Sequence, residues 1–172
     1  MQCPDGIMNT NRSTALIVED DPKLQNAMSA QLREMGLHVL VANHYDAAVC
    51  HLLVGEPHVI CIDVGLPNKS GYELCEHIRG SLRFVGLPIL MTSDHGDAGD
   101  MAYAERAGAN AFLHKPFSMR QLAHCIESLL EVSRLPPPEL TRPSQSARVA
   151  IRRSQDSGRA YRALCGVGLA TY

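Results

Sequence analysis

Asp20, Asp63, Thr92 and Lys115 are the residues of this chain whose types and spacing could do chemistry together. Each stands at or just past the end of a short apolar run: Ala15-Leu16-Ile17-Val18, Val59-Ile60-Cys61-Ile62, Pro88-Ile89-Leu90-Met91 and Ala111-Phe112-Leu113. Two carboxylates offer hard oxygen ligands to a divalent cation, while a hydroxyl and an ammonium offer donors to the oxygens of a phosphoryl group. The intervals between the four are 43, 29 and 23 residues, each long enough for a helical crossover between parallel strands. As strands of one parallel sheet, the four runs would end on a shared edge. Open α/β sheets bind ligands at that edge, where the strand order reverses.

The elements that must position these residues are legible in turn. After the first run, Pro22 suits a first helical position, and Leu24, Ala27, Met28, Leu32 and Met35 recur at helical spacing before Gly36. His38 to Ala42 reads as a short strand, and residues 45–54 as a helix carrying Ala47, Ala48, Leu52 and Leu53, stopped by Gly55 and Pro57. Gly65-Leu66-Pro67-Asn68-Lys69-Ser70-Gly71 has the chemistry of a turn at both ends, and Tyr72, Leu74, Cys75 and Ile78 begin the next helix. A weakly apolar helix passes through Met101, Ala104 and Ala107. The last starts from Ser118 and buries Leu122, Ile126, Leu129 and Leu130. Five β-α units with strands too apolar to be half exposed predict a parallel sheet covered by helices on both faces.

Composition bounds the rest. At 45% hydrophobic residues, the 172-residue chain can fill a core and is not disordered throughout. Residues 1–132 hold 9 Lys+Arg and 16 Asp+Glu, a net of −7, whereas residues 133–172 hold seven Arg, no Lys and two acids, a net of +5. Pro136-Pro137-Pro138 reads as a stiff linker, and the Ser-, Arg- and Gly-rich remainder as a disordered tail. The expected organisation is a flexible segment 1–12, a folded domain 13–132, and a linker with basic tail 133–172. Six cysteines without a C-x-x-C pair read as reduced thiols of a cytoplasmic protein. Eight histidines show no zinc-ligand spacing, and no apolar run reaches membrane-span length.

Ala15-Leu16-Ile17-Val18-Glu19-Asp20-Asp21-Pro22, Ile62-Asp63-Val64-Gly65-Leu66-Pro67, Thr92-Ser93 and His114-Lys115-Pro116-Phe117 together resemble the receiver domain of two-component response regulators, over roughly residues 13–132. The resemblance implies a doubly wound, flavodoxin-like sheet of strand order 2-1-3-4-5. It implies that Asp63 accepts a phosphoryl group and that Glu19 and Asp20 belong to a Mg²⁺ site, Asp20 as direct ligand, with Asp63 and the Gly65 carbonyl. Thr92 and Lys115 would contact the phosphoryl oxygens, and the peptide before Pro116 would be cis. Phe112 matches a position where relatives carry an aromatic switch residue that works with Thr92. Here it lacks a hydroxyl, so any switch would be steric. Gly65 and Asp94 match positions that influence phosphoryl lifetime.

The function expected on these grounds is phosphoryl acceptance from a histidine kinase or phosphotransfer protein, with no catalysis beyond the domain's own phosphorylation and dephosphorylation. The phosphorylated form would act on a downstream protein or form a homodimer through the face of the fourth helix, fifth strand and fifth helix. The alternative is a DNA-associated transcriptional regulator whose effector is truncated or reduced to the basic tail. Seven arginines without interleaved aromatics are a weak nucleic-acid signal. An aspartate-nucleophile phosphohydrolase would need a D-x-D pair, and Gly65 occupies its second position. Nothing in the phosphate-loop region supports a flavin.

Overall fold

A computed structural model of the chain describes residues 12–95 and 98–134. The expected N-terminal segment and tail lie outside the described residues, apart from Arg12, Ser133 and Arg134. The strands are β1 (Thr14–Val18), β2 (His38–Ala42), β3 (Val59–Asp63), β4 (Ile89–Ser93) and β5 (Ala111–His114). They alternate with α1 (Pro22–Glu34), α2 (Tyr45–Val54), α3 (Gly71–Arg79), α4 (Ala98–Ala107) and α5 (Met119–Arg134). All strand pairs are parallel, in the order β2-β1-β3-β4-β5. The order reverses between β1 and β3, which places the ends of those two strands at the position where such folds bind ligands.

Successive strand residues face opposite sides of the sheet, and each side has its own core. Leu16, Val18, Ile60, Ile62, Ile89 and Met91 pack with Ala48, Leu52, Leu74, Ile78 and Ala104 of α2, α3 and α4. Ala15, Ile17, Val59, Cys61 and Leu90 pack with Met28 and Leu32 of α1 and with Leu122, Ile126 and Leu129 of α5. Every residue of β3 and β4 is buried, which explains why those runs show no polar alternation. Tyr72 and Tyr103 are packing residues: their rings lie 4.5 Å apart, between α3 and α4.

Local chemistry sets the helix ends that aim the site. Asp21 caps α1, its carboxylate accepting from the Lys23 backbone N–H at 2.8 Å, with Pro22 in the first turn. Gly36 follows α1 at φ +84°, the left-handed conformation that glycine adopts without steric cost. Ser70 and Glu73 cap α3 reciprocally, and Ser118 and Gln121 do the same for α5.

Three details differ from the sequence expectation. Within α1, Ala27 is exposed and Ser29 is buried in its place. In α2 only Leu52 of the Leu52-Leu53 pair faces the core, because consecutive helical residues are turned by about 100°; Leu53 is 70% exposed. A single 3₁₀ turn, η1 (Leu82–Phe84), follows α3, and one turn is too short to show a period.

Candidate functional site

The register brings the four residues to one edge. Asp63, the last residue of β3, is the Cα partner of Thr92 in β4, so their side chains neighbour each other. Glu19 and Asp20 follow β1 directly, and Lys115 follows β5. The ladder extends past the strands at this edge: Glu19 N–H donates to Ala42 O at 3.0 Å, Val64 N–H to Thr92 O at 2.8 Å and Lys115 N–H to Ser93 O at 2.8 Å. The residues thus sit on extensions of a rigid sheet rather than on free loops. The Lys115–Pro116 peptide is cis, as the resemblance implied.

Lys115 organises the charges. Its Nζ lies 2.9 Å from Oε2 of Glu19 and 2.9 Å from Oδ1 of Asp63. Both carboxylate oxygens are buried, and no hydrogen-bond donor reaches either one apart from this shared ammonium. Burial pushes the Glu19 carboxyl above its ordinary range, partly offset by the Lys115 hydrogen bond. Burial also works against the Lys115 ammonium, but its hydrogen bonds to Glu19 and Asp63 outweigh that and hold its pKa raised.

One ammonium does not balance the site. Ligand atoms of Glu19, Asp20 and Asp63 lie within 4.8 Å of one another, so three carboxylates face a single positive charge. Asp20 is exposed, whereas Glu19 and Asp63 are buried. An open cleft of about 530 Å³ leads to the group, and Gly65, Asp94, Pro116 and Phe117 also line it. A Cβ on Gly65 would stand 3.2 Å from Oδ2 of Asp63, so glycine leaves that oxygen approachable. Hard oxygen donors, surplus negative charge and an open approach fit a small divalent cation such as Mg²⁺.

The remaining expected residues are placed as follows. Thr92 is buried beside Asp63. Phe112 pairs with Met91 across β4–β5 and packs against the core on the α2–α4 side. His114 donates to or accepts from nothing in the acidic group; its Nε2 meets the Asp94 carbonyl at 3.1 Å. Of the described cysteines, Cys61, Cys75 and Cys125 are buried; burial pushes the thiol pKa of Cys61 up to about 12 and that of Cys75 up to about 11, so neither of those two is a nucleophile near neutrality.

Two features went unread in the sequence. Glu19 is committed to Lys115, and its other oxygen accepts from Asp21 N–H at 3.3 Å, so it holds the lysine in place. Gly71 was read only as part of a turn. A Cβ there would lie 2.1 Å from the Asp63 carbonyl oxygen and 2.9 Å from its carbon. Those are backbone atoms, and Gly71 N–H is itself bonded to Val64 O at 3.0 Å. The start of α3 therefore rests directly on the peptide that carries Asp63. Gly71→Ala is expected to cost about 1–3 kcal/mol of stability through forced backbone movement, read as a lower urea midpoint with an unchanged slope. A wild-type midpoint would mean that α3 shifts freely.

A doubly wound parallel sheet with a charged cleft at its switch point defines the class of open α/β proteins that bind ligands at the carboxyl edge of their strands. Comparison with known proteins narrows the class. The response regulator receiver domain model matches residues 15–127, and the chain belongs to that family. It is 31% identical over 126 residues to the transcriptional regulatory protein GltR of Pseudomonas aeruginosa, covering 72% of this chain and 51% of GltR. The chain spans about half the length of most curated relatives it matches. Among solved structures, the receiver domain of a signal transduction histidine kinase from Syntrophus aciditrophicus aligns with a TM-score of 0.65 at 26% identity, over 80% of this chain and 98% of that one. The chemotaxis response regulator CheY4 of Vibrio cholerae shares the fold, with a TM-score of 0.67 at 24% identity over 69% and 99% of the two chains. The chain therefore contains a receiver domain of two-component signalling.

Proposed function

We propose that this receiver domain accepts a phosphoryl group on Asp63 from a histidine kinase or a histidine phosphotransfer protein, in the cytoplasm, with Mg²⁺ as cofactor. The observation that carries the reading is the Lys115 ammonium shared between buried Glu19 and Asp63 inside a group of three carboxylates. Oδ2 of Asp63, kept approachable by Gly65, attacks phosphorus. A P–O bond forms as the P–N bond to the donor imidazole breaks; the bonding pair stays on that nitrogen, and the imidazole leaves neutral because its other ring nitrogen already carries a proton. Lys115, already at hydrogen-bond distance from Asp63, stabilises the negative charge of the phosphoryl oxygens, and the Thr92 hydroxyl provides a second donor. Asp20, Asp63 and the Gly65 carbonyl would hold Mg²⁺ directly, with Glu19 contributing through water. When bound, the cation supplies the positive charge that lets an anionic phosphoryl group approach an anionic carboxylate.

The acyl phosphate shifts a population between two conformers. Thr92 and Phe112 link the site to the α4–β5–α5 face, which meets a downstream protein or a second copy. Incubation with acetyl phosphate and Mg²⁺ tests this reading: intact mass should rise by one phosphoryl group, and EDTA should abolish the gain. No mass change with Mg²⁺ present would remove the proposal.

The name of GltR and the seven arginines of residues 133–172 favour a second reading, in which output reaches DNA. Salt-sensitive DNA binding that vanishes with those residues would support it. For the first reading, ending the chain after Arg134 should leave unfolding and phosphorylation nearly unchanged, because Leu129 and Leu130 complete the α5 side of the core. A rate that rises on truncation only at low salt would instead show the arginines competing for the acidic cleft.

A further inference from the structure

The backbone on either side of Asp20 is held by a residue outside the acidic group. The parallel ladder between β1 and β2 makes its last bond where Glu19 N–H donates to Ala42 O at 3.0 Å. Beyond that bond the two segments part. One turns into α1 through Glu19, Asp20 and Asp21, and the other passes through Asn43 and His44 into α2. A continuing ladder would bring a backbone N–H to the Glu19 carbonyl. Here the donor is the side-chain carboxamide of Gln25, near the start of α1. Its Nε2 lies 2.9 Å from Glu19 O and 3.3 Å from Ala42 O. Both partners are carbonyls, which only accept, so the amide nitrogen faces them and its two hydrogens serve one each. The backbone N–H of Gln25 in turn donates to Asp21 O at 2.9 Å. One residue thus holds the carbonyls of both neighbours of Asp20. Any residue here could make the helical bond to Asp21, but the side-chain bonds require a donor of this length.

We propose that Gln25 is a positioning residue for the cation: its carboxamide fixes the peptide between Glu19 and Asp20 and so aims the Asp20 carboxylate into the cleft. The inference rests on the reading of this cleft as a Mg²⁺ site. Two adjacent acids have different tasks here. Glu19 is turned inward onto Lys115, and Asp20 stands exposed at the cleft. An exposed side chain takes its aim from its backbone, and rotation of the shared peptide would disturb both carboxylates at once. Mg²⁺ demands near-ideal octahedral geometry, so a ligand set in place beforehand binds it better than one that must be ordered on binding. Gln25 is not among the residues lining the cleft, so it acts through Asp20 rather than as a ligand.

Mg²⁺ titration by calorimetry, with urea unfolding beside it, tests the proposal. Gln25→Met keeps the side-chain length and suits a helix but donates nothing. Gln25→Asn keeps the donor and falls one methylene short. Each variant should bind Mg²⁺ about three- to tenfold more weakly than wild type, the worth of a net hydrogen bond or so. Asn26→Ala, at the exposed next position of α1, should titrate as wild type does. Urea midpoints of the two Gln25 variants should fall only modestly, because Ala42 O keeps its bond from Glu19 N–H. Before any metal is added, the Asp20 amide should already move in the ¹⁵N–¹H spectrum of Gln25→Met, since its own peptide has lost a donor. A purely structural role would lower the midpoint and leave the Mg²⁺ affinity of the native protein where it was. Folded Gln25 variants that bind Mg²⁺ like wild type would therefore overturn the proposal and leave the metal reading intact. Variants that do not fold would make Gln25 a stability residue and overturn it equally. A wild-type chain that takes up no Mg²⁺ would remove the metal reading and this inference together.

Discussion

Asp63→Asn is expected to fold as wild type does and to take up no phosphoryl group. The side chain is buried at the end of β3, and the amide has nearly the shape of the carboxylate, so the packing around it is kept. What changes is charge and nucleophilicity. An amide nitrogen does not attack phosphorus at neutral pH, and an amide oxygen does so poorly. Lys115 is not orphaned by the substitution, because its second partner, Glu19, lies at the same 2.9 Å distance. Removing one of three mutually close carboxylates also relieves repulsion, so stability should hold or rise. Urea unfolding and intact mass after acetyl phosphate treatment check both halves. A variant that unfolds early would show that the Asp63–Lys115 pair is structural, and a variant labelled like wild type would move the acceptor elsewhere.

Asp20→Ala is expected to weaken Mg²⁺ binding at least about tenfold, the loss typical of disturbing a metal ligand or its immediate support, and to slow phosphorylation with it. Asp20 is the exposed member of the carboxylate group, at the mouth of the cleft. Glu19 is different. Both of its oxygens are engaged inside the protein, one by Lys115 and one by the Asp21 N–H. Glu19→Ala should therefore cost less in cation affinity. Its main effect should be to release Lys115, which then pairs with Asp63 alone and hinders its attack. Calorimetric Mg²⁺ titration of the two variants separates these roles. If Glu19→Ala loses more affinity than Asp20→Ala, the acidic pair is assigned the wrong way round.

Much of this arrangement was legible in the sequence because it rests on local rules. The four strand runs, the helix over 45–54 and the start of the last helix at Ser118 depend on neighbouring residues, and each stands where its pattern placed it. The convergence of Asp20, Asp63, Thr92 and Lys115 followed from parallel topology alone. What stayed hidden depends on tertiary contact. Adjacent acids do not reveal that Glu19 turns inward to Lys115, 96 positions away, while Asp20 faces solvent. The need for glycine at position 71 arises only when α3 comes down on the Asp63 peptide. The apolar character of Leu53 and Val54 reads as core in one dimension, and only the orientation of α2 shows that both face outward.

The central claim is that Asp63 carries the phosphoryl group, and the most direct measurement traps it there. Borohydride reduces an aspartyl phosphate to homoserine, leaving a permanent mass change at the modified residue. After treatment with acetyl phosphate and Mg²⁺, then borohydride, peptide sequencing by mass spectrometry should find homoserine at position 63 and intact aspartate at positions 20, 21 and 94. Homoserine at any of those other positions, with aspartate retained at 63, would contradict the account.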